Sequence, residues 1–225
     1  MYQWDFWSVW RDVDVLLLGL ANTLKVTGLA LCFGVALGLV LALMRLSQHF
    51  AISAVAGLVI EFFRTTPPLV QLFWFFFALP ILIDVSMTPF IAATVTFSIQ
   101  SSAFFAEVFR AGIRSIARGQ WDAARALGMT RLQLMRRVVL PQAVKRMIPA
   151  FLERAIELLK TTALVSTVSY ADLLYQANEL AQKTFRPLEV FTVAALLYFL
   201  AIYPVSLAVR QLERVLARSG ETTTH

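Results

Sequence analysis

The residues most able to do chemistry in this chain are charges set in apolar sequence. Glu153, Arg154, Glu157 and Lys160 fall within two helical turns of an otherwise apolar stretch. Glu153 and Glu157 share a face at i, i+4, and Glu157 and Lys160 are neighbours at i, i+3. Charges in such places are expensive and by default mark function. Two readings stand side by side. The set neutralises itself near one end of the stretch, or Glu157, Lys160, Thr161 and Thr162 line a pathway where Lys160 meets a substrate carboxylate. Glu61 and Arg64, also i, i+3, read as a structural ion pair or as a substrate clamp. Ser98, Gln100, Ser101 and Ser102 form a polar patch that either glues helices together or, through Gln100 and Ser101 above all, lines a wet pathway.

None of these groups forms a catalytic constellation. The chain contains no H-E-x-x-H, no G-x-S-x-G and no G-x-x-x-x-G-K-[ST] phosphate cradle. Cys32 is the one cysteine, which excludes an internal disulfide and a cysteine-cluster metal site. His49 and His225 lie in a short loop and at the terminus, so neither reads as a metal ligand. The chain is therefore expected not to be an enzyme and to carry no metal or cofactor of its own.

The elements that hold these groups must be membrane helices. Of the 225 residues, 59% are hydrophobic and 15% charged, against about half and a quarter in soluble domains. One soluble core cannot hide that much apolar surface. A membrane helix needs roughly 20 mainly apolar residues. Five segments qualify, at about 16–44, 52–83, 89–109, 149–170 and 190–209. The first carries a polar patch at Asn22, Thr23, Lys25 and Thr27. The second is too long for one straight span, with Pro67 as a kink. Gly34-x-x-x-Gly38 reads as a small-residue packing face. Trp4, Phe6, Trp7 and Trp10 read as an interfacial aromatic belt, and no cleavable signal peptide is expected.

Charge then orients the chain. With the N-terminus outside, the outer pieces hold three basic residues, Arg11, Lys183 and Arg186. The inner pieces hold thirteen of the 20, nine of them between Arg110 and Arg146 and the rest at Arg45, Arg210, Arg214 and Arg218. The bias predicts an outside N-terminus and a cytoplasmic C-terminus, as an odd number of spans requires. It also places the net charge of +6 on the cytoplasmic side and away from nucleic acid. The fold class expected is all-α: a polytopic membrane protein, one transmembrane domain over residues 1–225, with a helical cytoplasmic loop at 107–148.

That loop is the most informative stretch. Its basic residues recur at helical spacing, Arg110, Arg114 and Arg118. Gly119 and Gln120 follow, then a helical run from Trp121 to Leu127. Gly128 supplies a turn, and a run from Arg131 to Val139 is expected to stop or kink at Leu140-Pro141. Composition alone would explain a basic loop by attraction to anionic lipid.

The order of residues says more. GQWDAARALGMTRLQLMRRVVLPQA resembles the loop motif of ABC importer permeases: E-A-A, three residues, G, nine residues, I-x-L-P. Asp122, Ala123, Ala124, Gly128, Leu140 and Pro141 stand at the family spacing, with Asp122 for the usual Glu and Val138 for the usual Ile. The resemblance extends over about residues 16–215. Gly19-Leu20-x-x-Thr23-Leu24-x-x-Thr27, FFRTTPPLVQLFWFFFALP, AEVFRAGIRSI, LLKTTALVSTVSYADLL and FRPLEVF are similar to the polar amino-acid subfamily. That subfamily often has an acidic residue after the lysine, where this chain has Thr161.

The resemblance implies a permease subunit of an ATP-driven importer in a bacterial inner membrane, moving a polar amino acid of glutamate/aspartate type. Permeases for opines, ectoines or basic amino acids are the alternatives. It also implies a second permease, similar or identical, two ATPase subunits that bind the ATP, and an external substrate-binding protein. Gly119, Gln120, Asp122, Ala123, Ala124, Arg125, Gly128, Leu140 and Pro141 would then form the coupling element that docks on the ATPase. Two other classes compete: an integral-membrane enzyme, which lacks its motifs, and a self-sufficient secondary carrier, which would often show an internal repeat.

Overall fold

A computed structural model describes the backbone of residues 2–221 and the side chains of residues 2–213. The side chains of Arg214 and Arg218, used in the charge count, and all of His225 lie outside the described residues. Among the described residues every regular element is helical. In chain order they are α1 (Phe6–Arg11), α2 (Val13–Arg45), α3 (Phe50–Thr65), α4 (Pro68–Phe73), α5 (Leu79–Ile83), α6 (Pro89–Arg114), α7 (Arg118–Ala126), α8 (Arg131–Leu134), α9 (Leu140–Thr161), α10 (Leu173–Thr184) and α11 (Pro187–Glu221). π-helical stretches at Trp74–Ala78 and Met135–Val139 join α4 to α5 and α8 to α9, and a 3₁₀ turn at Thr162–Val168 follows α9.

Helices α2 and α6 form the central pair because small residues let their backbones approach. A Cβ on Gly34 would stand 2.8 Å from the Ser101 Cβ, and one on Gly38 2.8 Å from the Phe105 Cβ and from the Ser102 carbonyl. Only glycine fits at that separation. On the same seam the Ser98 and Ser102 hydroxyls donate back to the Thr94 and Ile99 carbonyls of their own helix, each at 2.6 Å. Their polarity is thus satisfied locally inside a buried contact.

Helices α2 and α6 and residues Pro187–Glu213 of α11 are each long and apolar enough to cross a membrane. Helix α3 and the α4–α5 run meet that test together, across a bend of 104°. The expected kink is therefore a sharp corner. Thr66 (ψ 134°) and Pro67 (ψ 135°) are both extended, as residues before proline tend to be, and Pro68 opens the next helix.

The stretch expected as a fourth span, 149–170, takes a different form. Helix α9 starts earlier, at Leu140, carries charge along its length, and ends in the 3₁₀ turn at Val168. Ser169 closes it in the left-handed region at φ 60°. A stop or kink was expected at Leu140-Pro141; the chain does not stop there, because the helix widens instead. A proline ring presses on the carbonyl four residues back, here Arg137, and the π stretch Met135–Val139 takes up the misfit. Pro80 repeats the arrangement, with Phe76 inside Trp74–Ala78.

Residues 171–189, expected to be an outer connection, contain a full helix. Asp172 caps α10 by accepting from the Tyr175 N–H at 2.8 Å. Leu173, Ala177 and Leu180 of α10 then pack with Val9, Leu16 and Val190. Glu189 is fully buried and ties the N-terminal segment down, accepting from the Tyr2 hydroxyl and, at 3.0 Å, from the Asp5 N–H. The basic loop has a core of its own in Ile116, Ala124, Leu134, Val139, Ala143 and Met147.

Candidate functional site

Helices α6 and α9 run antiparallel, and named contacts fix their register. At one end Arg146 donates to the Ser115 carbonyl. Further along, the Phe151 ring lies 4.9 Å from Phe105 and 5.0 Å from Phe109. That places Phe104 level with Arg154, and Gln100 level with Thr161.

At this last level the groove opens into a cavity of about 230 Å³. Gln100, Ser101 and Phe104 of α6 line one wall, and Arg154, Glu157 and Thr161 of α9 the other. Arg64, in the last turn of α3, and Thr66, at the corner that follows, close the side. A second cavity of about 390 Å³ continues toward the basic loop, lined by Glu107, Ala111, Ser115, Arg146 and Ala150. Arg64, Phe104 and Arg154 belong to both.

Two guanidinium groups stand where the cavities meet. The Cζ atoms of Arg64 and Arg154 lie 5.8 Å and 4.4 Å from the Phe104 ring centre. Each also has a carboxylate partner at i±3: Glu61 at 3.5 Å from Arg64, and Glu157 in direct contact with Arg154. Both arginine side chains remain about one-third exposed. The arrangement offers two fixed, partly desolvated forks, the geometry suited to a carboxylate.

Of the residues singled out for a pathway, Gln100, Ser101, Glu157 and Thr161 line the cavity. Lys160 and Thr162 do not. Lys160 is exposed on another face of α9, since about 100° per residue separates it from the line Arg154, Leu158, Thr161. Thr162 is buried, 3.2 Å from the Thr27 hydroxyl and donating to the Leu159 carbonyl at 2.8 Å. The sequence reading did not single out Phe104, whose one signal was its place one turn past Gln100.

The loop residues form a second candidate surface. Helix α7 exposes Gly119, Gln120, Asp122, Ala123 and Arg125 and buries Ala124. Asp122 and Arg125 pair at 3.5 Å, both largely exposed. Gly128 turns the chain at φ 71°, where side chains are strained. Its N–H donates to the Arg125 carbonyl and the Met129 N–H to that of Ala124, at 2.9 and 3.1 Å. Thr130 and Gln133 then start α8 with a reciprocal capping box. Leu140 and Pro141 are exposed at the start of α9. Leu127, 77% exposed, adds an apolar point not singled out from sequence.

Residues 34–218 match the family described as binding-protein-dependent transport system inner membrane component. The glutamate/aspartate import permease protein GltK of Escherichia coli O6:H1 is 36% identical over 221 residues, covering 95% of this chain and 99% of its own. The glutamine transport system permease protein GlnP of Escherichia coli K12 is 35% identical over 213 residues, covering 94% and 97%. A crystal structure of an amino acid ABC transporter with histidines superposes at a TM-score of 0.89 and 38% identity, covering 95% and 99%.

Proposed function

The chain belongs to the family of binding-protein-dependent transport system inner membrane components and is a permease subunit of an amino-acid ABC importer; from that premise we propose that its cargo is an amino acid of glutamate/aspartate type, carried along the groove between α6 and α9. The observation that carries the cargo assignment is the pair of guanidinium groups, Arg64 and Arg154, in the wall of the α6–α9 cavity. Gln100, Ser101 and Thr161 add neutral hydrogen-bonding groups beside them. Two forks can meet a carboxylate each or share one, and the similarity to a glutamate/aspartate permease points the same way. The test is uptake of labelled L-glutamate by the assembled importer in proteoliposomes, with unlabelled aspartate, glutamine and arginine as competitors. Competition by aspartate supports the reading, and competition by arginine alone contradicts it.

The coupling element in this proposal is Gly119–Pro141. Gly119, Gln120, Asp122, Ala123 and Arg125 present a small, polar face that a partner ATPase can approach closely, with Ala124, Gly128, Leu140 and Pro141 fixing how that face joins α9. Motion of α7 would pass through α8 and the π stretch into α9, and so to Arg154. That is a rigid-body switch between two arrangements. ATP would be bound and hydrolysed by two partner subunits, with a second permease completing the pathway and an external binding protein delivering cargo. The single domain 1–225 would cross the bacterial inner membrane five times, with α9 and its 3₁₀ turn as the fourth crossing. Its N-terminus would lie outside and its C-terminus in the cytoplasm, as the thirteen-to-three placement of basic residues favours.

A further inference from the structure

The two cavities of the α6–α9 groove meet at one level, where Arg64, Phe104 and Arg154 line both. Along α6 the lining residues run from Gln100 through Phe104 to Ser115; along α9 they run from Thr161 through Arg154 to Arg146. At 1.5 Å per residue, Phe104 stands about 6 Å below Gln100 and about 16 Å above Ser115. Its ring faces both guanidinium groups, at 5.8 Å and 4.4 Å.

We propose that Phe104, held between Arg64 and Arg154, is the partition that closes the cargo cavity toward the side bearing the basic loop. This rests on the groove's being the cargo pathway. Phe104 is a positioning residue: its π face attracts both cations, while Glu61 pairs with Arg64 and Glu157 with Arg154. A carboxylate entering the upper cavity competes for the same cations, and a charge-assisted hydrogen bond outweighs an exposed cation–π contact. Cargo therefore loosens the partition it must pass. The three parts also sit on separate pieces. Phe104 belongs to α6, Arg64 to the end of α3 before the 104° corner, and Arg154 to α9, which is helically continuous with α8 through the π stretch. A shift of the loop that carries α9 moves Arg154 relative to the ring.

The experiment uses the assembled importer in inside-out vesicles, in a Cys32→Ser background with one new cysteine at a time. Thr161→Cys reports the upper cavity and Ala111→Cys the lower, each labelled with a membrane-impermeant maleimide. With Phe104 in place, Ala111→Cys reacts and Thr161→Cys is protected. Adding Phe104→Ala raises Thr161→Cys labelling about tenfold, the shift expected when a contact holding one state is removed, and leaves Ala111→Cys unchanged. Phe104→Leu keeps most of the bulk without the π face and gives the same rise; it is the deciding variant if Phe104→Ala does not assemble. Equal labelling of the two cysteines with Phe104 present, or protection of Thr161→Cys that survives both substitutions, overturns the proposal. No arm needs cargo, so failed glutamate uptake would contradict the cargo assignment and leave this result standing.

Discussion

The hydroxyl oxygens of Thr27 and Thr162 lie 3.2 Å apart in the buried seam between α2 and the 3₁₀ turn after α9. Thr162 gives its one proton to the Leu159 carbonyl at 2.8 Å, so across the seam it accepts from Thr27, whose other acceptor within reach is the Thr23 carbonyl, also at 2.8 Å. Thr162 is thus a stitch between elements, one residue beyond Thr161, which faces the cavity. Thr162→Val should lower thermal stability by about 0.5–1.5 kcal/mol, the net contribution of one hydrogen bond. The concentration dependence of uptake should stay as in the parent. A changed apparent affinity with unchanged stability would place Thr162 in the pathway after all.

The α2–α6 contact separates two kinds of glycine. Gly38→Ala would push a Cβ to 2.8 Å from both the Phe105 Cβ and a backbone carbonyl, and neither can swing away. Overpacking of that kind costs about 1–3 kcal/mol. Gly28, inside α2, has no atom within 4 Å of such a Cβ, so Gly28→Ala should hold or raise the melting temperature in detergent. Equal effects of the two substitutions would contradict the close approach of α2 and α6.

Asp172 makes stability pH-dependent. It is buried, Oδ1 caps α10, and Oδ2 has no hydrogen-bond partner among the described residues. Burial pushes its carboxyl from 3.8 up to about 6. Between those values the folded chain holds a proton that the unfolded chain has lost. Stability therefore falls as pH rises from about 4 to about 6 and levels off above that. Asp172→Asn keeps the capping oxygen and should flatten this slope in thermal unfolding followed against pH. An identical slope in the variant would assign the pH dependence to other groups.

The loop can be tested apart from the membrane pathway. Gly128 sits at φ 71°, where a β-branched residue costs about 1–2 kcal/mol, so Gly128→Val should re-aim α7 relative to α8. Asp122→Lys removes an ion pair that is exposed on both sides and so contributes little stability. Both variants should reach the membrane in normal amount, yet drive less uptake per ATP hydrolysed. Uptake and ATP hydrolysis in the parental ratio would detach these residues from coupling.

The long apolar helices α2, α6 and α11, the loop motif and the small-residue seam were legible because each is a local pattern: apolar length, fixed spacing, glycine four apart. Which face of α9 meets α6 was not, because it depends on Phe151 packing against Phe105 and Phe109, a contact with no signature in spacing. Hence Lys160, the carboxylate partner in one of the two readings of its charged set, lies off the groove, while Arg154 and Arg64 line it. Helix α10 carried its start signal in Asp172, yet its polar residues read as a connection. Pro141 was read as a stop or kink, but there, as at Pro80, a π stretch absorbs the ring and the helix continues.

The most direct test of the account is uptake of L-glutamate by the importer reconstituted with its ATPase and binding protein, comparing the parent with Arg154→Gln and Arg64→Gln. Loss of one charge-assisted hydrogen bond, about 1.5–3 kcal/mol, should weaken apparent affinity by roughly 10- to 100-fold, with assembly and basal ATP hydrolysis retained. Parental affinity in both variants would mean that the cargo carboxylate never meets these guanidinium groups, and the α6–α9 groove would not be its path.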